Sequence, residues 1–287
     1  MILLFIAAIL FFVLQNISFK QFNLVYMKNK SSYFIFNAIY FTLICVIFGF
    51  LGVDPSRFTY AIAWLGMLFS ISFITAVFSY MKAMENGPLS LSFLFFSAGM
   101  LVPIVFGILF FNEPAPIHKF AGLALLFAAF FVSTLGSGGK KMNPKWVVYI
   151  LIASLSNGVI GVSLKLCNVV SEDASKEFLF FGFGQAAIIS LLIGLFLMNK
   201  HKEQLSHFRA LPFCIIAATA AVTTAGGNYI MLLLSSMVSA LVQFPVVNGS
   251  LIITSILTSR VVFKEEVTKQ QLLAILIGLV SIVLLSL

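Results

Sequence analysis

The chain has 287 residues, of which 61% are hydrophobic, 9% are charged and 33 are phenylalanine. A soluble domain carries roughly 25% charged residues, so this composition excludes a water-soluble globular protein and predicts a protein of the lipid bilayer. The formal net charge is +8, but the basic residues are scattered through short loops, as is typical of membrane proteins, and we expect no nucleic-acid binding.

Apolar runs separated by polar residues divide the chain into ten candidate transmembrane helices, because a bilayer core needs roughly 20 apolar residues per helix. These segments cover residues 2–25, 33–51, 60–82, 89–111, 117–135, 146–169, 178–198, 211–233, 238–262 and 270–287. A glycine-rich, basic break lies at the middle of the chain. We therefore predict an all-α membrane protein with a five-helix repeat over residues 1–135, a linker over 136–145 and a second five-helix repeat over 146–287.

The two halves share local sequence. Residues 18–25 read SFKQFNLV and residues 163–170 read SLKLCNVV, so serine, lysine, asparagine and valine recur at the same four places 145 positions later. Tyr80 in the third segment matches Tyr229 in the eighth. Since each half has an odd number of helices, the second repeat is predicted to lie inverted relative to the first. Inverted repeats are typical of carriers that work by alternating access around a site near the bilayer midplane.

Four short motifs recur in a recognisable order. They are Asn16 to Lys20, Gly158 to Lys165, the acidic loop at Glu113 and the acidic loop at Glu265–Glu266. Their order resembles the EamA-type repeat of the drug/metabolite transporter superfamily, and the resemblance covers essentially the whole chain. It implies a ten-helix carrier. The first helix has Leu14-Gln15 where this repeat usually carries an aromatic–glycine pair.

Two lysines near the ends of apolar helices are the first candidates for substrate contact. Asn16 and Lys20 share one helix face, as do Asn157 and Lys165, and a polar stripe on an apolar helix is expected to face the bundle interior. One interpretation is contact with an anionic or zwitterionic substrate. The other is that each lysine reaches the lipid headgroups from its helix end. In inverted halves the two lysines would lie toward opposite membrane surfaces.

Further candidates lie on the third, fourth, eighth and ninth segments, where polar side chains interrupt apolar sequence. Each is interpreted either as cavity lining or as helix packing, with a simple proline kink as the alternative near Pro103 and Pro245. These candidates are Tyr80, Ser97, Asn228, Tyr229, Gln243 and Asn248.

The acidic residues limit the chemistry. All nine fall in loops or at helix ends, which disfavours proton-coupled export of organic cations through a mid-membrane carboxylate. No metal-ligand spacing or catalytic motif occurs, so we expect neither an enzyme nor a cofactor.

Membrane orientation is left open by two opposing indications. Loops after odd-numbered helices hold twelve basic residues and loops after even-numbered helices hold three, which places both termini outside the cytoplasm by the positive-inside rule. The family resemblance instead implies cytoplasmic termini. Either orientation suits a multi-pass protein of the plasma or bacterial inner membrane.

These observations predict a carrier for a small polar metabolite, an amino acid or similar zwitterion, working by facilitated diffusion, exchange or export. The alternatives are an organic-anion or sugar-phosphate carrier, in which the lysines take the charge, and a lipid-handling membrane subunit. The expected partners are a small-molecule substrate and the lipid bilayer. Ten helices suffice for one pathway, so a monomer is sufficient and a homodimer is compatible.

Overall fold

The structure, a computed structural model, describes residues 1–26, 30–86, 95–135, 143–171, 174–201, 211–261 and 268–286. The regular elements in these ranges are all helical. Ten α-helices have defined bounds there: α1 Ile2–Val25, α2 Lys30–Phe50, α3 Tyr60–Asn86, α4 Leu101–Phe111, α5 Ile117–Leu135, α6 Pro144–Val170, α7 Ser175–His201, α8 Leu211–Met237, α9 Ala240–Val261 and α10 Lys269–Ser286.

The predicted all-α fold is confirmed, since each described helix falls on one of the ten predicted segments. The fourth segment is interrupted: a helical turn at residues 95–98 ends before α4 begins at Leu101. Pro103 has no N–H to donate to the carbonyl oxygen of Gly99, and that oxygen accepts from the N–H of Val102 at 3.0 Å instead. Most of the predicted linker, residues 136–142, lies outside the described residues.

Exposed apolar side chains recur at helical spacing and form the surfaces expected to face lipid. On α6 and α7 the spacing is i, i+3, i+4, i+7, with Val148, Leu151, Ile152, Leu155, Ile188, Leu191, Leu192 and Leu195 exposed. Among the described residues, α1, α2, α3, α6, α7 and α8 are long and apolar enough to cross a membrane, and four further apolar helices are shorter.

The described chain divides into two compact units. Unit 1 contains Met1–Ile74 and Leu166–Leu233, and unit 2 contains Thr75–Lys165 and Leu234–Leu287. Each unit therefore takes helices from both the N-terminal and the C-terminal part of the chain.

In unit 1, α2 packs along α7 in antiparallel orientation. Near the start of α2, Ile35 fills the space over Gly194, where an added Cβ would meet the Ile35 Cδ1 atom at 2.8 Å. Near the end of α2, Gly49 faces Phe180. Small residues let transmembrane helices approach closely, so each helix contributes a glycine to the packing of the other.

The contact between α3 and α7 in unit 1 is also built on small residues. A Cβ at Gly66 would lie 3.2 Å from the backbone nitrogen of Gly182. The Ser70 hydroxyl donates to the Gly182 carbonyl oxygen, and the Gln185 side-chain amide donates to the carbonyl oxygen of Ala63 at 3.2 Å. Both polar side chains therefore join the two helices.

In unit 2, α5 packs against α10, and α9 contacts α4, α5 and α10. The Ser281 hydroxyl on α10 donates to the carbonyl oxygen of Gly122 on α5 at 2.7 Å. A Cβ at Gly122 would meet the Leu285 Cγ atom at 2.9 Å. A hydroxyl bonded across a glycine contact is satisfied without water, as apolar surroundings require.

The interrupted fourth segment packs closely on α6. Gly99 lies against the backbone carbonyl of Ser154, which leaves no room for a Cβ at residue 99. At Gly158 an added Cβ would lie 2.5 Å from the Val102 Cβ atom and 2.7 Å from the Gly99 carbonyl oxygen. Because part of the obstruction is backbone, it cannot be relieved by a side-chain rotation.

We expect Gly158→Ala to destabilise the protein by about 1–3 kcal/mol, because the added methyl group forces α4 and α6 apart. The matched control is Gly184→Ala on α7, where the nearest atom to an added Cβ is Cys45 Sγ at an ordinary 3.5 Å. Thermal unfolding of both variants in detergent checks this. Equal melting temperatures for the two variants would contradict the described packing.

Candidate functional site

A buried ion pair in unit 2 is the most strongly polar contact of the described side chains. The Lys165 Nζ atom on α6 lies 2.6 Å from Glu113 Oε1, and the two side chains are only 7% and 11% exposed. The same ammonium group donates to the backbone carbonyl oxygen of Val238 at 3.0 Å. Removing one partner of a buried ion pair leaves an uncompensated charge, so neither residue is dispensable by itself.

The ion pair lies at the corner between α8 and α9. Val238 follows the last residue of α8, and its carbonyl oxygen accepts from the lysine, while the Ala240 N–H at the start of α9 donates to Glu113 Oε2 at 2.7 Å. A helix carries partial negative charge at its C-terminus and partial positive charge at its N-terminus. Each charged group therefore faces the helix end of opposite sign.

The backbone after α4 places Glu113 in this position. Asn112 adopts the left-handed conformation with φ 50°, which asparagine tolerates better than most residues, and the Glu113 N–H then donates to the Gly107 carbonyl oxygen at 3.2 Å. The carboxylate lies over Gly107, where a Cβ would be 2.6 Å from Oε2. Glycine at 107 thus provides the space that the carboxylate occupies.

In the structure Lys165 is paired with a protein carboxylate, and only 7% of its side chain is exposed. The side chain of Lys20, its counterpart in the first half, lies outside the described residues, as do Glu265 and Glu266.

Two candidates from the sequence contact Phe96 in unit 2, and a third follows it in the chain. Asn157 donates to the Phe96 carbonyl oxygen at 3.2 Å, and the ring of Tyr80 packs on the Phe96 ring at 4.5 Å between centroids. Ser97, the next residue in the chain, is 2% exposed. The amide of Asn157 thus partners a carbonyl group at the interruption of the fourth segment, as a polar backbone group in lipid requires.

Two further candidates lie in unit 1 on α8. Asn228 is buried and donates to the Thr224 carbonyl oxygen at 2.9 Å, one turn earlier on the same helix. Tyr229 packs edge-on against Phe48.

On α1 Gln15 is buried, and the predicted Asn16 beside it is not. Gln15 is 7% exposed and donates to the Thr224 hydroxyl at 2.7 Å, whereas Asn16 is exposed. The face predicted from the spacing of Asn16 and Lys20 is therefore one residue away from the buried polar position.

The two amides of α9 differ in environment. Gln243 is fully buried, and Asn248 is half-buried and donates to the Phe244 carbonyl oxygen at 2.8 Å. That bond stays within α9, next to Pro245.

The sequence pattern missed Asn37 and Tyr40 on α2, which are 3% and 0% exposed. The Tyr40 hydroxyl has no hydrogen-bond partner among the described residues. With Tyr33 they follow an i, i+4, i+7 spacing, which is the signal that could have found them.

Glu177 is a second buried carboxylate near a helix end. It lies in the first turn of α7, is 2% exposed, and accepts from the Asp54 N–H at 2.8 Å. The Asp54 side chain itself is exposed, and hydrogen bonds from Ser56, with help from Arg57, hold the pKa of that carboxyl below its usual range.

The polar contacts form separate groups. In unit 2 Glu113 pairs with Lys165, and Asn157 and Tyr80 contact Phe96. In unit 1 Gln15 and Asn228 both bond to Thr224. Within the described part of the chain no cluster of three or more histidine, cysteine or acidic side chains could hold a metal ion. The chemistry of these groups is hydrogen bonding and charge pairing.

We expect Lys165→Met to lower the free energy of unfolding by about 3–5 kcal/mol, because Glu113 then stays buried without its counter-charge. Lys165→Met combined with Glu113→Gln removes both charges and should recover most of that loss. The check is thermal unfolding in detergent of wild type, the single variant and the double variant. A double variant no more stable than the single variant would contradict the pairing.

Gln15→Ala should lower stability by about 1–3 kcal/mol, because the buried Thr224 hydroxyl loses its hydrogen-bond partner. Asn16→Ala is the matched control on the adjacent, exposed position and should leave the melting temperature nearly unchanged. The opposite ranking in a thermal unfolding assay would show that α1 is rotated relative to the described structure.

Comparison with known proteins places the chain in a family. A search of curated proteins gave no match. A solved structure described as "Crystal structure of protein" aligns with a TM-score of 0.79 over 98% of this chain and 94% of the other, at 14% sequence identity, a likeness that shows the fold alone. Residues 144–287 match the EamA-like transporter family. The chain, a multi-pass all-helical membrane protein, therefore belongs to the EamA-like transporter family.

Proposed function

We propose that this transporter moves a small polar metabolite, an amino acid or similar zwitterion, by alternating access between two inverted five-helix repeats. The observation that carries the proposal is that Lys165 is buried and that its charge is balanced by Glu113. The transport is facilitated diffusion, exchange or export across the plasma or inner membrane, and one chain suffices for it.

The packing of α2 on α7 supports the inverted duplication. A shift of 145 positions converts Ile35 into Phe180 and Gly49 into Gly194. The contacts Ile35–Gly194 and Gly49–Phe180 are therefore equivalent under that shift. A two-fold axis across a pair of helices produces antiparallel packing with such reciprocal contacts.

The membership of the two units fits the same relation for the second, fourth and fifth helices of each proposed repeat. It does not fit for the first helices, because α1 lies in unit 1 and residues 144–165 of α6 lie in unit 2. The second-position helices α2 and α7 share unit 1, and the fourth- and fifth-position helices α4, α5, α9 and α10 share unit 2. The proposed repeats, 1–135 and 146–287 joined by residues 136–145, are thus interleaved in the fold, and the family match begins at residue 144. Inverted repeats that meet in this manner suit alternating access.

Charge supports a zwitterion over an anion. An anionic substrate would have to displace Glu113 from Lys165 and leave a carboxylate without its cation, which is unfavourable in a buried site. Apart from Lys20, the other candidates are neutral amides, hydroxyls and phenols, which hydrogen-bond a substrate without adding charge. On this basis we keep eight neutral residues as proposed cavity residues: Asn16, Tyr80, Ser97, Asn157, Asn228, Tyr229, Gln243 and Asn248. Lys20 remains proposed from the sequence pattern.

Purified protein in liposomes should take up label from a radiolabelled mixture of the standard amino acids, with saturation and with competition by unlabelled amino acids. Sugar phosphates are the comparison substrates, and protein-free liposomes are the control. Uptake competed by phosphate esters but not by amino acids would replace the proposal with the organic-anion carrier. Absence of any amino-acid uptake would refute it.

A further inference from the structure

We propose that the corner between α8 and α9 binds the head group of an amino-acid zwitterion, which inserts into the Glu113–Lys165 ion pair. The corner site is defined by the side chains of Glu113 and Lys165, the carbonyl oxygen of Val238 and the N–H of Ala240. This inference rests on the proposed function and names the atoms that recognise the substrate.

One half of the corner site is suited to a carboxylate. In the described structure the Glu113 carboxylate bridges two donors, Lys165 Nζ at 2.6 Å and the Ala240 N–H at 2.7 Å. A charged donor combined with a helix N-terminus is a favourable arrangement for any carboxylate. Glu113 therefore occupies the position that a substrate carboxylate would take.

The other half is suited to an ammonium group. The Lys165 ammonium bridges two acceptors, Glu113 Oε1 at 2.6 Å and the Val238 carbonyl oxygen at 3.0 Å. A carbonyl oxygen at the C-terminal end of α8 attracts positive charge. When the pair separates, Glu113 and Val238 offer the same two acceptors to a substrate ammonium group.

Charge balance then selects the ligand. The pair is neutral as a whole, and it remains neutral when a zwitterion joins Lys165 through its carboxylate and Glu113 through its ammonium. A carboxylate without an ammonium group would leave Glu113 unpaired, and an amine without a carboxylate would leave Lys165 unpaired. Both are unfavourable at side chains only 7% and 11% exposed. The site thus discriminates by charge pattern and not by net charge alone.

The elements around the corner site allow the pair to open. Glu113 follows α4 in the short connection to α5, which runs from Asn112 to Pro116, and its carboxylate rests on Gly107, which carries no side chain. Lys165 lies on the continuous helix α6. Separation therefore requires displacement of one carboxylate and leaves the helices in place.

The test uses uptake of the labelled amino-acid mixture into liposomes, with glycine, acetate and glycinamide as competitors. Glycine carries both charged groups, acetate carries only the carboxylate, and glycinamide carries only the ammonium group. We expect glycine to reduce uptake and the other two to leave it unchanged at equal concentration. Equal competition by acetate and glycine would overturn the inference.

The double variant with Lys165→Met and Glu113→Gln leaves no unpaired charge at the corner and should fold. Its uptake rate should nevertheless fall at least tenfold below that of wild type. Uptake within twofold of wild type would overturn the inference while leaving the proposed function intact. If wild-type protein itself moves no amino acid, the proposed function fails instead.

Discussion

The structure depends on one constraint, that a polar group inside a bilayer must find its partner within the protein. Lys165 satisfies it with Glu113 and a helix-terminal carbonyl group, Asn157 with the carbonyl of Phe96 where the fourth segment breaks, and Ser281 with the carbonyl of Gly122. In each case the partner belongs to another helix or to a helix end, so the same bonds that satisfy polar groups also join the elements.

The same constraint decides which contacts hold the helices together and which of them can open during transport. Helices in lipid gain nothing from burying apolar surface against each other, and they associate through close backbone approach and polar bonds. The described contacts are accordingly built on glycine and serine, as at Gly66 with Gly182. A carrier must break some contacts and keep others as it works. An ion pair with no net charge is suited to reversible opening, because a ligand that carries one positive and one negative group can take the place of either partner.

The helices were predictable because length and apolar character are local properties, and only the fourth segment differs, being interrupted before Leu101 in the described residues. The identity of the buried polar side chains was not. Gln15 and Asn16 are adjacent, and only the position of α8 decides that Gln15 is buried while its neighbour is exposed. Glu113 was visible as an acidic loop, but its pairing with Lys165, 52 positions away, is a tertiary property. Asn37 and Tyr40 were missed because they lie inside a strongly apolar segment.

The reciprocal packing of α2 and α7 has a consequence for how such a chain could arise. Each helix carries a large apolar residue near its start and a glycine 14 positions later, Ile35 with Gly49 and Phe180 with Gly194. A helix of this kind is complementary to an antiparallel copy of itself. The contact therefore needs the information of one helix only, so the proposed duplication of a five-helix unit would supply both of its sides at once.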